Sequence, residues 1–494
     1  MKKVFGIAAL LLALAACNKI ETEITPIEQP SDSKGITITA TLAPKTAVTK
    51  AVADNGDNKI TASWAVGERI FIMYEIGGEK MVSIASIIAV DSVTGSATIS
   101  FFVDPRTADN TPCTLVYPLA AANATLTGVK DAATLLSAQD GTLSANLDVR
   151  VGEGTIQTTT PSLDVTKQPA AQFAIFKFTV RGADGTTAIS AKPLTVTIGT
   201  QDYVITPAAA TDVLYAALPA VSDEKVSFDA TDGSDRTYTC AKLSASFEAG
   251  KYYQSTLKMR EYVDLGTGVK WATCNVGGVH PEDYGDYFAW GATIPFYAEG
   301  NSQNNPCYDW ISGKTGYDWA SYPFMRSGES EYQYITKYPF ADGQTEGIWY
   351  DGGGNFIGDN KTVLDFEDDA ARANWGGSWR MPTHAEMEAL TATKSNTTDY
   401  TWTWCDGSTE KYNDTDVKGW KIVKNSNSNT LFIPAAGYRD GTNLDNPGPT
   451  GYYWSSSHYE NFSDYAWYVY FHSGDADSDR NDRYYGHSVR PVIE

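Results

Sequence analysis

Basic residues are in short supply: 38 Lys and Arg stand against 60 Asp and Glu, a formal net charge of −22 over 494 residues. Affinity for nucleic acid comes mainly from cations that neutralise phosphates, so a nucleic-acid partner is excluded. Histidine is rarer still, with five residues and no H-x-x-x-H spacing, and the six cysteines contain no C-x-x-C pair. These absences leave no zinc ligand set and no dense disulfide framework, and neither a metal nor another cofactor is expected. One or two disulfides among Cys113, Cys240, Cys274, Cys307 and Cys405 stay open, with no pairing to be read. No G-x-S-x-G nucleophile motif occurs. Beyond the amino terminus, no apolar run approaches the ~20 residues that a membrane-spanning helix needs.

What is abundant is aromatic: 29 Tyr, 18 Phe and 13 Trp, against only 7 Met. That balance suits sandwiches and barrels better than a helical bundle. A chain of this length holds about two to four domains. Tryptophan divides it. Trp64 alone precedes residue 260, and the other twelve follow it, which marks two units with different cores. In the first unit, β-branched and aromatic residues recur at period two, as in Ile36–Ala40, Ala97–Phe102 and Phe173–Val180. Turn sequences such as DSVTG and GADG separate them, and the pattern predicts antiparallel sandwich strands. Further runs at Leu194–Ile198, Val213–Ala217, Lys225–Ala230 and Tyr252–Met259 suggest two stacked sandwiches, divided in the polar stretch Gly152–Pro161.

The amino terminus reads as an export signal. Lys2 and Lys3 precede the short apolar run Val4–Ala13, and Leu14-Ala15-Ala16-Cys17 forms a lipobox. The spacing predicts a signal peptide over 1–16, acylation of Cys17 and a stable outer-membrane lipid anchor. Residues 17–34, with Pro26 and Pro30, read as a tether. Asn18, Glu21 and Glu23 beside the cysteine resemble the surface-export tether of Bacteroidetes lipoproteins, which implies exposure at the cell surface.

Several stretches of the first unit resemble the fimbrillin-like (Mfa-like) lipoproteins of Bacteroidetes. They are ACNK, the NGDNKI segment, SWAVGERIFIMY, VDSVTGSATISF, AIFKFTV, VLYAALP and FEAGKYYQSTLKM. The resemblance implies two transthyretin-like Greek-key β-sandwiches, over 35–157 and 158–259, and a role as pilus subunit, pilus tip or adhesin.

Residues 261–494 are loop-rich around a few firm motifs. Thr383 and Glu386 in WRMPTHAE form a capping box, which predicts a helix of about two turns from His384 with Met387 and Leu390 inward. The order YVDLGTGVKWATCNVG, DYFAWG, WRMPT, AAGYR, YWSSS and SVRPV resembles the FISUMP-type domain. That resemblance implies a C-type-lectin-like α+β fold, also used by formylglycine-generating enzymes. The tail is similar to the variable proteins of diversity-generating retroelements, which display a hypervariable ligand-binding face. The chain as a whole is thus expected to be mainly β, two sandwiches followed by a lectin-like head.

Catalysis is not expected. Cys274, Cys307 and Cys405 sit in separate segments, and the carboxylate groups Asp283 with Asp286 and Glu367-Asp368-Asp369 read as solvated or capping residues. Asp475-Ala476-Asp477-Ser478-Asp479 begins like a calcium loop, but Arg480 and Gly486 occupy positions that require Gly and Glu, so no specific calcium site is expected. Trp290, Trp375, Trp379 and Trp454 read as core.

The candidate binding face is Tyr452 to Tyr485. In the strand-like Ala466–Ser473, Trp467, Val469 and Phe471 share one side, read as core, and Tyr468, Tyr470 and His472 share the other, read as exposed. Ser457, His458, Tyr459, Asn461, Asp464 and Tyr465 crowd one flanking loop; Asp475, Asp477, Asp479, Asn481, Asp482, Tyr484 and Tyr485 crowd another. Tyrosine offers a large rigid surface and a hydroxyl at little entropic cost, which suits adaptable recognition. Asn, Tyr, Asp, His and Ser also share codons reachable from AAC or AAT by changing adenines alone. The expected function is a surface adhesin binding an unidentified protein or glycan, with a structural fimbrial subunit that contacts other subunits as the alternative and a glycan-processing enzyme ranked after both.

Overall fold

The computed structural model describes residues 35–45 and 63–494, except 119–120, 122–129, 138, 145–146, 302–303, 305 and 342–346. Cys17, the signal peptide, the tether and the NGDNKI segment lie outside these residues. The chain is mainly β, and no helix among the described residues is long and apolar enough to cross a membrane.

Seven antiparallel strands form the first sheet: β1 (Ile36–Leu42), β2 (Arg69–Ile76), β3 (Glu79–Val90), β4 (Ala97–Val103), β5 (Thr111–Tyr117), β6 (Arg150–Gln157) and β7 (Ser162–Ala171). Their spatial order is β1-β4-β3-β2-β5-β6-β7, and edge strand β1 also packs against edge strand β7. The sheet therefore curls round on itself. Its interior takes every second residue, as the period-two pattern requires; along β4 the side chains alternate buried and half-buried without exception. Ile38, Ile72, Ile99, Phe101 and Leu115 fill it, each fully or almost fully buried and worth about 1.5–3 kcal/mol.

The boundary expected at 157/158 falls inside a hairpin. β7 pairs with β6 and closes the first sheet, so that unit ends near Gln172. Gly152 and Gly154 fall in the polar stretch expected to divide the two sandwiches. They are strand glycines instead, because an added Cβ would lie 2.8 Å from the Lys167 carbonyl or 2.9 Å from that of Asp164.

A second sandwich follows: β8 (Phe173–Arg181), β9 (Ala191–Ile198), β10 (Gln201–Ile205), β11 (Val213–Pro219), β12 (Val221–Asp232), β13 (Thr237–Phe247) and β14 (Tyr252–Lys258). One sheet runs β10-β9-β12-β13 and the other β11-β8-β14, with β14 parallel to β8. Phe176, Phe178, Phe228 and Phe247 pack between them, and the same cluster takes in Met73, Val82 and Val116 from the outer face of the first sheet. The two units share a core.

The division expected at 260 is crossed by hydrogen bonds. β15 (Arg260–Asp264) pairs with β13, and β16 (Lys270–Ala272) pairs with β15. The last strand, β27 (Val492–Ile493), then adds to β16, so the chain's final residues join the sheet of the second sandwich. Side chains reinforce this seam. The Arg260 guanidinium lies 4.0 Å from the Trp375 ring centre, and Lys225 Nζ donates to Ser378 Oγ at 3.0 Å. Gly377, at φ +62°, brings its backbone against Ala241, where a Cβ would sit 3.1 Å from the alanine methyl. Trp375 and Trp379 meet edge-to-face in the same place.

Between β16 and β27 lie two helices and a core of loops. α1 (Ala370–Trp375) is capped by Asp369, and α2 (His384–Ala392) starts with both capping-box hydrogen bonds formed and buries Met387 and Leu390, as its sequence predicts. Loop backbones carry carbonyls that no ladder satisfies, and buried aromatic tips and guanidinium groups supply the donors. Trp290 Nε1 donates to the Ser455 carbonyl and Trp454 Nε1 to that of Phe288, each at 2.9 Å. Fully buried Arg483 donates to the carbonyls of Lys337, Tyr338 and Ser463, and Arg490 to those of Ala272 and Thr273. The aromatic motifs of this unit are thus core, including Trp290 and Trp454 as expected.

Candidate functional site

The remaining strands assemble the candidate face. β17 (Tyr287–Phe288) leads the unit, a separate sheet holds β18 (Tyr400–Cys405), β19 (Gly419–Lys424) and β20 (Thr430–Pro434), and β21 (Tyr438–Asp440) with β22 (Asn443–Asp445) makes a hairpin. β23 (Gly451–His458), β24 (Tyr465–Phe471), β25 (Ala476–Asp482) and β26 (His487–Ser488) complete a sheet ordered β17-β26-β23-β24-β25. In it Tyr470 lies opposite Tyr452 on one side and Asp477 on the other, and Tyr468 lies opposite Trp454 and Asp479.

Alternation along β24 holds, but both of its sides are covered. Val469 and Phe471 enter a core with Leu390, Trp420 and Ile433. Tyr468, expected to be exposed, is only 7% exposed, because Tyr452 stacks on it at 5.7 Å and Trp454 meets it edge-on at 5.9 Å. His458 is a second correction, being 1% exposed between the Trp290 and Phe340 rings. Trp467, assigned to the core, is half-buried and stacks on His384 with ring centres 3.8 Å apart.

The strand therefore splits the candidates between two surfaces. On one, half-buried Tyr452, Tyr470, Tyr484 and Tyr485 join Tyr438 of the β21–β22 hairpin; ring centres are 4.6 Å apart for Tyr438 and Tyr452 and 4.5 Å for Tyr484 and Tyr485. His487 lies fully buried beneath, stacked 4.0 Å from Trp454. The other surface carries Tyr459, Phe462, Tyr465 and Trp467, with Tyr459 edge-on to Trp467 at 5.0 Å and the Arg480 guanidinium 5.7 Å from the Tyr459 ring. Asn461 is exposed in the same loop, half-buried Asp464 accepts the Arg483 backbone N–H on its carbonyl, and the Ser457 hydroxyl accepts the His384 N–H at 3.0 Å. His472 and Asp475 sit at the exposed tip of the β24–β25 hairpin, where the His472 ring lies 6.5 Å from that of Tyr470 at the margin of the tyrosine surface.

Ala476–Asp482 is an edge strand, not the loop its composition suggested. The His472 N–H donates to the Asp475 carbonyl at 2.9 Å, which sets the alternation of the ladder. The N–H groups of Ala476, Ser478, Arg480 and Asp482 then point away from β24. Each is taken by the side chain before it: Asp475, Asp477, Asp479 and Asn481 accept them at 2.8–3.0 Å. The alternating acidic run covers its own edge.

The tyrosine surface is electrostatically one-sided. Asp440 and Asp445, at the two ends of the hairpin, and Asp482 approach its rings, and none of the three has an ion-pair partner among the described residues. Burial, then repulsion from Asp464 and Asp440, pushes the Asp482 carboxyl up to about 6; burial and Asp445 raise Asp440 as well. Burial and Asp445 push the Tyr438 hydroxyl up to about 12. Sequence reasoning missed Tyr438, Asp440 and Asp445 because they precede the chosen window. The signal was the AAGYR motif, whose Gly437 bridges Gly451 at the start of β23.

Elsewhere the carboxylates act on backbone. Asp283 accepts the N–H groups of Val279 and His280 at 2.9 Å, and Asp369 those of Arg372 and Met381. Asp365, Glu367 and Asp368 bring carboxylate atoms close enough for one cation, but Lys361 already pairs with Asp365, and Lys337 and Tyr338 with Asp368. The five cysteines among the described residues are unpaired thiols, and burial pushes Cys113 and Cys240 up to about 12 and Cys274 to about 11.

A family model described as "Domain of unknown function (DUF8237)" matches residues 409–492. No curated protein matches the chain. Among solved structures it is similar to a "putative cell adhesion protein" from Bacteroides uniformis, at 12% identity and a TM-score of 0.27, over 47% of this chain and 97% of that one. A second so described, from Bacteroides ovatus, is 15% identical with a TM-score of 0.27, over 46% and 95% of the two chains. A fimbrial protein from Bacteroides ovatus aligns over 90% of this chain and 97% of its own, at 11% identity and a TM-score of 0.22.

Proposed function

We propose that this protein is a cell-surface adhesin, anchored in the outer membrane through Cys17, whose β-sandwiches carry a lectin-like head that reads a protein or glycan ligand. The observation that supports it is the tyrosine surface. Tyr438, Tyr452, Tyr470, Tyr484 and Tyr485 are clustered and half-buried, each keeping part of its surface in solvent. Large, rigid amphipathic groups in that state offer contact area without a further ordering cost. The continuous sheet through β13, β15, β16 and β27 favours a head that transmits force to the sandwiches. A non-enzymatic role is consistent with the buried, high-pKa thiols and with His458, which burial holds uncharged down to about pH 3.

Two measurements test this reading. Radiolabelled palmitate is expected in the wild-type protein and absent from Cys17→Ala; equal labelling removes the anchor. Whole mature protein applied to protein and glycan arrays is expected to capture a ligand that Tyr470→Ala/Tyr484→Ala loses with its melting curve intact. Retained capture in that variant moves the site elsewhere. Shear-resistant fibres that contain the chain and dissociate as a ladder would instead make it a fimbrial subunit. Coding DNA is expected to carry an imperfect repeat of its last hundred or so bases near a reverse transcriptase gene if the face is diversified.

A further inference from the structure

We infer that the tyrosine surface takes a cationic protein segment, one presenting Arg or Lys side chains, and not an acidic or neutral glycan. The inference rests on the reading of this surface as the binding face and adds the chemistry of its partner.

Three observations converge. The first is the ring arrangement: Tyr438, Tyr452, Tyr470 and Tyr485 lie with neighbouring centres 4.6–6.4 Å apart, and each is half-buried. Aromatic faces are electron-rich, and a guanidinium or ammonium group within about 6 Å of a centroid is attracted to them. This protein uses that contact repeatedly on its own account, as with Arg260 over Trp375 and Arg483 over Trp290.

The second is the sign of the charge around the rings. Asp440, Asp445 and Asp482 border them without an ion-pair partner among the described residues, and Asp477 adds an exposed carboxylate opposite Tyr470. Nearby cations are committed elsewhere. Arg439 turns inward to the Asn304 carbonyl at 2.6 Å, Arg480 serves the opposite surface and pairs with Asp479, and Lys394 bonds the Gly474 carbonyl at 2.7 Å. Beneath the rings, His487 is fully buried, and burial holds it uncharged.

The third is that the carboxylates repel one another. Asp440 and Asp482 are raised by burial first, and then by Asp445 on Asp440 and by Asp464 and Asp440 on Asp482, so the fold holds these carboxylates together partly desolvated and mutually repelling. A bound cation relieves that repulsion, whereas an anionic polysaccharide would deepen it and a neutral glycan would leave it unchanged. Unpaired charges held together at a partly desolvated surface mark a site that is completed by its partner.

The test uses the whole mature chain and a hexa-arginine peptide carrying a photo-crosslinker, with hexa-glutamate and maltohexaose as comparison probes. Binding of hexa-arginine is expected, with crosslinks at Tyr438, Tyr470 or Tyr484, and neither comparison probe should compete. Because the whole chain is acidic, two triple variants with the same change in net charge are compared. Asp440→Asn/Asp445→Asn/Asp482→Asn is expected to weaken binding at least about tenfold, by removing complementary charges at the contact. Glu75→Gln/Glu224→Gln/Glu248→Gln, exposed on the sandwiches, is expected to change it less than about twofold. Equal losses in the two variants, crosslinks away from the tyrosines, or no binding overturn the inference. Capture of a neutral glycan that is lost in Tyr470→Ala/Tyr484→Ala but kept in the aspartate variant would overturn the cationic partner and leave the binding face standing.

Discussion

Asp482→Asn should stabilise the protein at neutral pH and do nothing in acid. The carboxyl is held at about 6 in the folded chain, against an ordinary value of 3.8, by burial first and then by Asp464 and Asp440. Because its folded value is raised, the folded chain keeps a proton that the unfolded chain has lost between roughly pH 4 and 6. Stability is therefore highest below that window and falls as pH rises through it. Two units at about 1.4 kcal/mol each set an upper bound near 3 kcal/mol. Asp482 is half-buried, so solvent screening reduces the expected gain to about 1–2 kcal/mol at pH 7.5. Asparagine keeps the shape, and among the described residues the carboxylate accepts no hydrogen bond that the change would remove; the backbone N–H stays on Asn481 Oδ1. His458 and His487 work in the other direction. Burial holds both uncharged, so their contribution is present above about pH 6.5 and is lost as pH falls. Subtracting wild type from variant cancels that background. Urea denaturation followed by tryptophan fluorescence at pH 7.5 and pH 4 measures the difference. A variant less stable than wild type at pH 7.5, or equally stabilised at both values, refutes the electrostatic account of this surface.

Tyr468→Ala is expected to cost about 3–5 kcal/mol, as for other buried aromatics, while Tyr470→Ala costs less than about 1.5; equal costs would show that the two tyrosines are not divided by burial. Asp148 accepts buried Lys45 Nζ at 3.0 Å and Arg150 Nε at 2.8 Å, so Asp148→Ala should destabilise by about 3–5 kcal/mol in thermal melts, and a loss below about 1 would make the pair dispensable. Removing three edge caps together, Asp477→Ala/Asp479→Ala/Asn481→Ala, should expose backbone donors on β25 and raise self-association in light scattering; an unchanged mass would mean that the edge is protected in another way. Sequencing the gene across many cells should find variation concentrated at Tyr470, His472, Asp477 and Tyr484, with His458 and Tyr468 spared because a new side chain there has no room. Free variation at those two positions would contradict the packing.

The sequence was most legible where a local rule acts alone. The capping box at Thr383 and Glu386 sets the start of a helix by satisfying backbone donors within four residues, and both hydrogen bonds are present. Period-two runs such as Ile36–Ala40 and Ala97–Phe102 became paired strands because one face of their sheet is interior. It was least legible where distant chain passes come close. Gly152 and Gly154 carry no mark that separates a turn glycine from one pressed against β7. Hydrogen-bonded pairing, which composition does not record, runs across both expected divisions, at 157 within a hairpin and at 260 from β13 to β15.

The candidate site shows how a correct alternation can still give a wrong exposure. Period two assigns Tyr468 and Tyr470 to the side of β24 opposite Val469 and Phe471, and they are there. Whether that side meets water depends on what stands over it. Tyr452 comes from the neighbouring strand, Tyr438 from a separate hairpin, and His487 from β26 on the far side of β23. Their arrival buries Tyr468, at the middle of the sheet, and leaves Tyr470, one step nearer the hairpin, half in solvent. The same arrival brings Asp440 and Asp445 to a surface that already holds Asp482. A composition rich in Asp and Tyr thereby becomes a face with a sign, and the sign limits what can bind there.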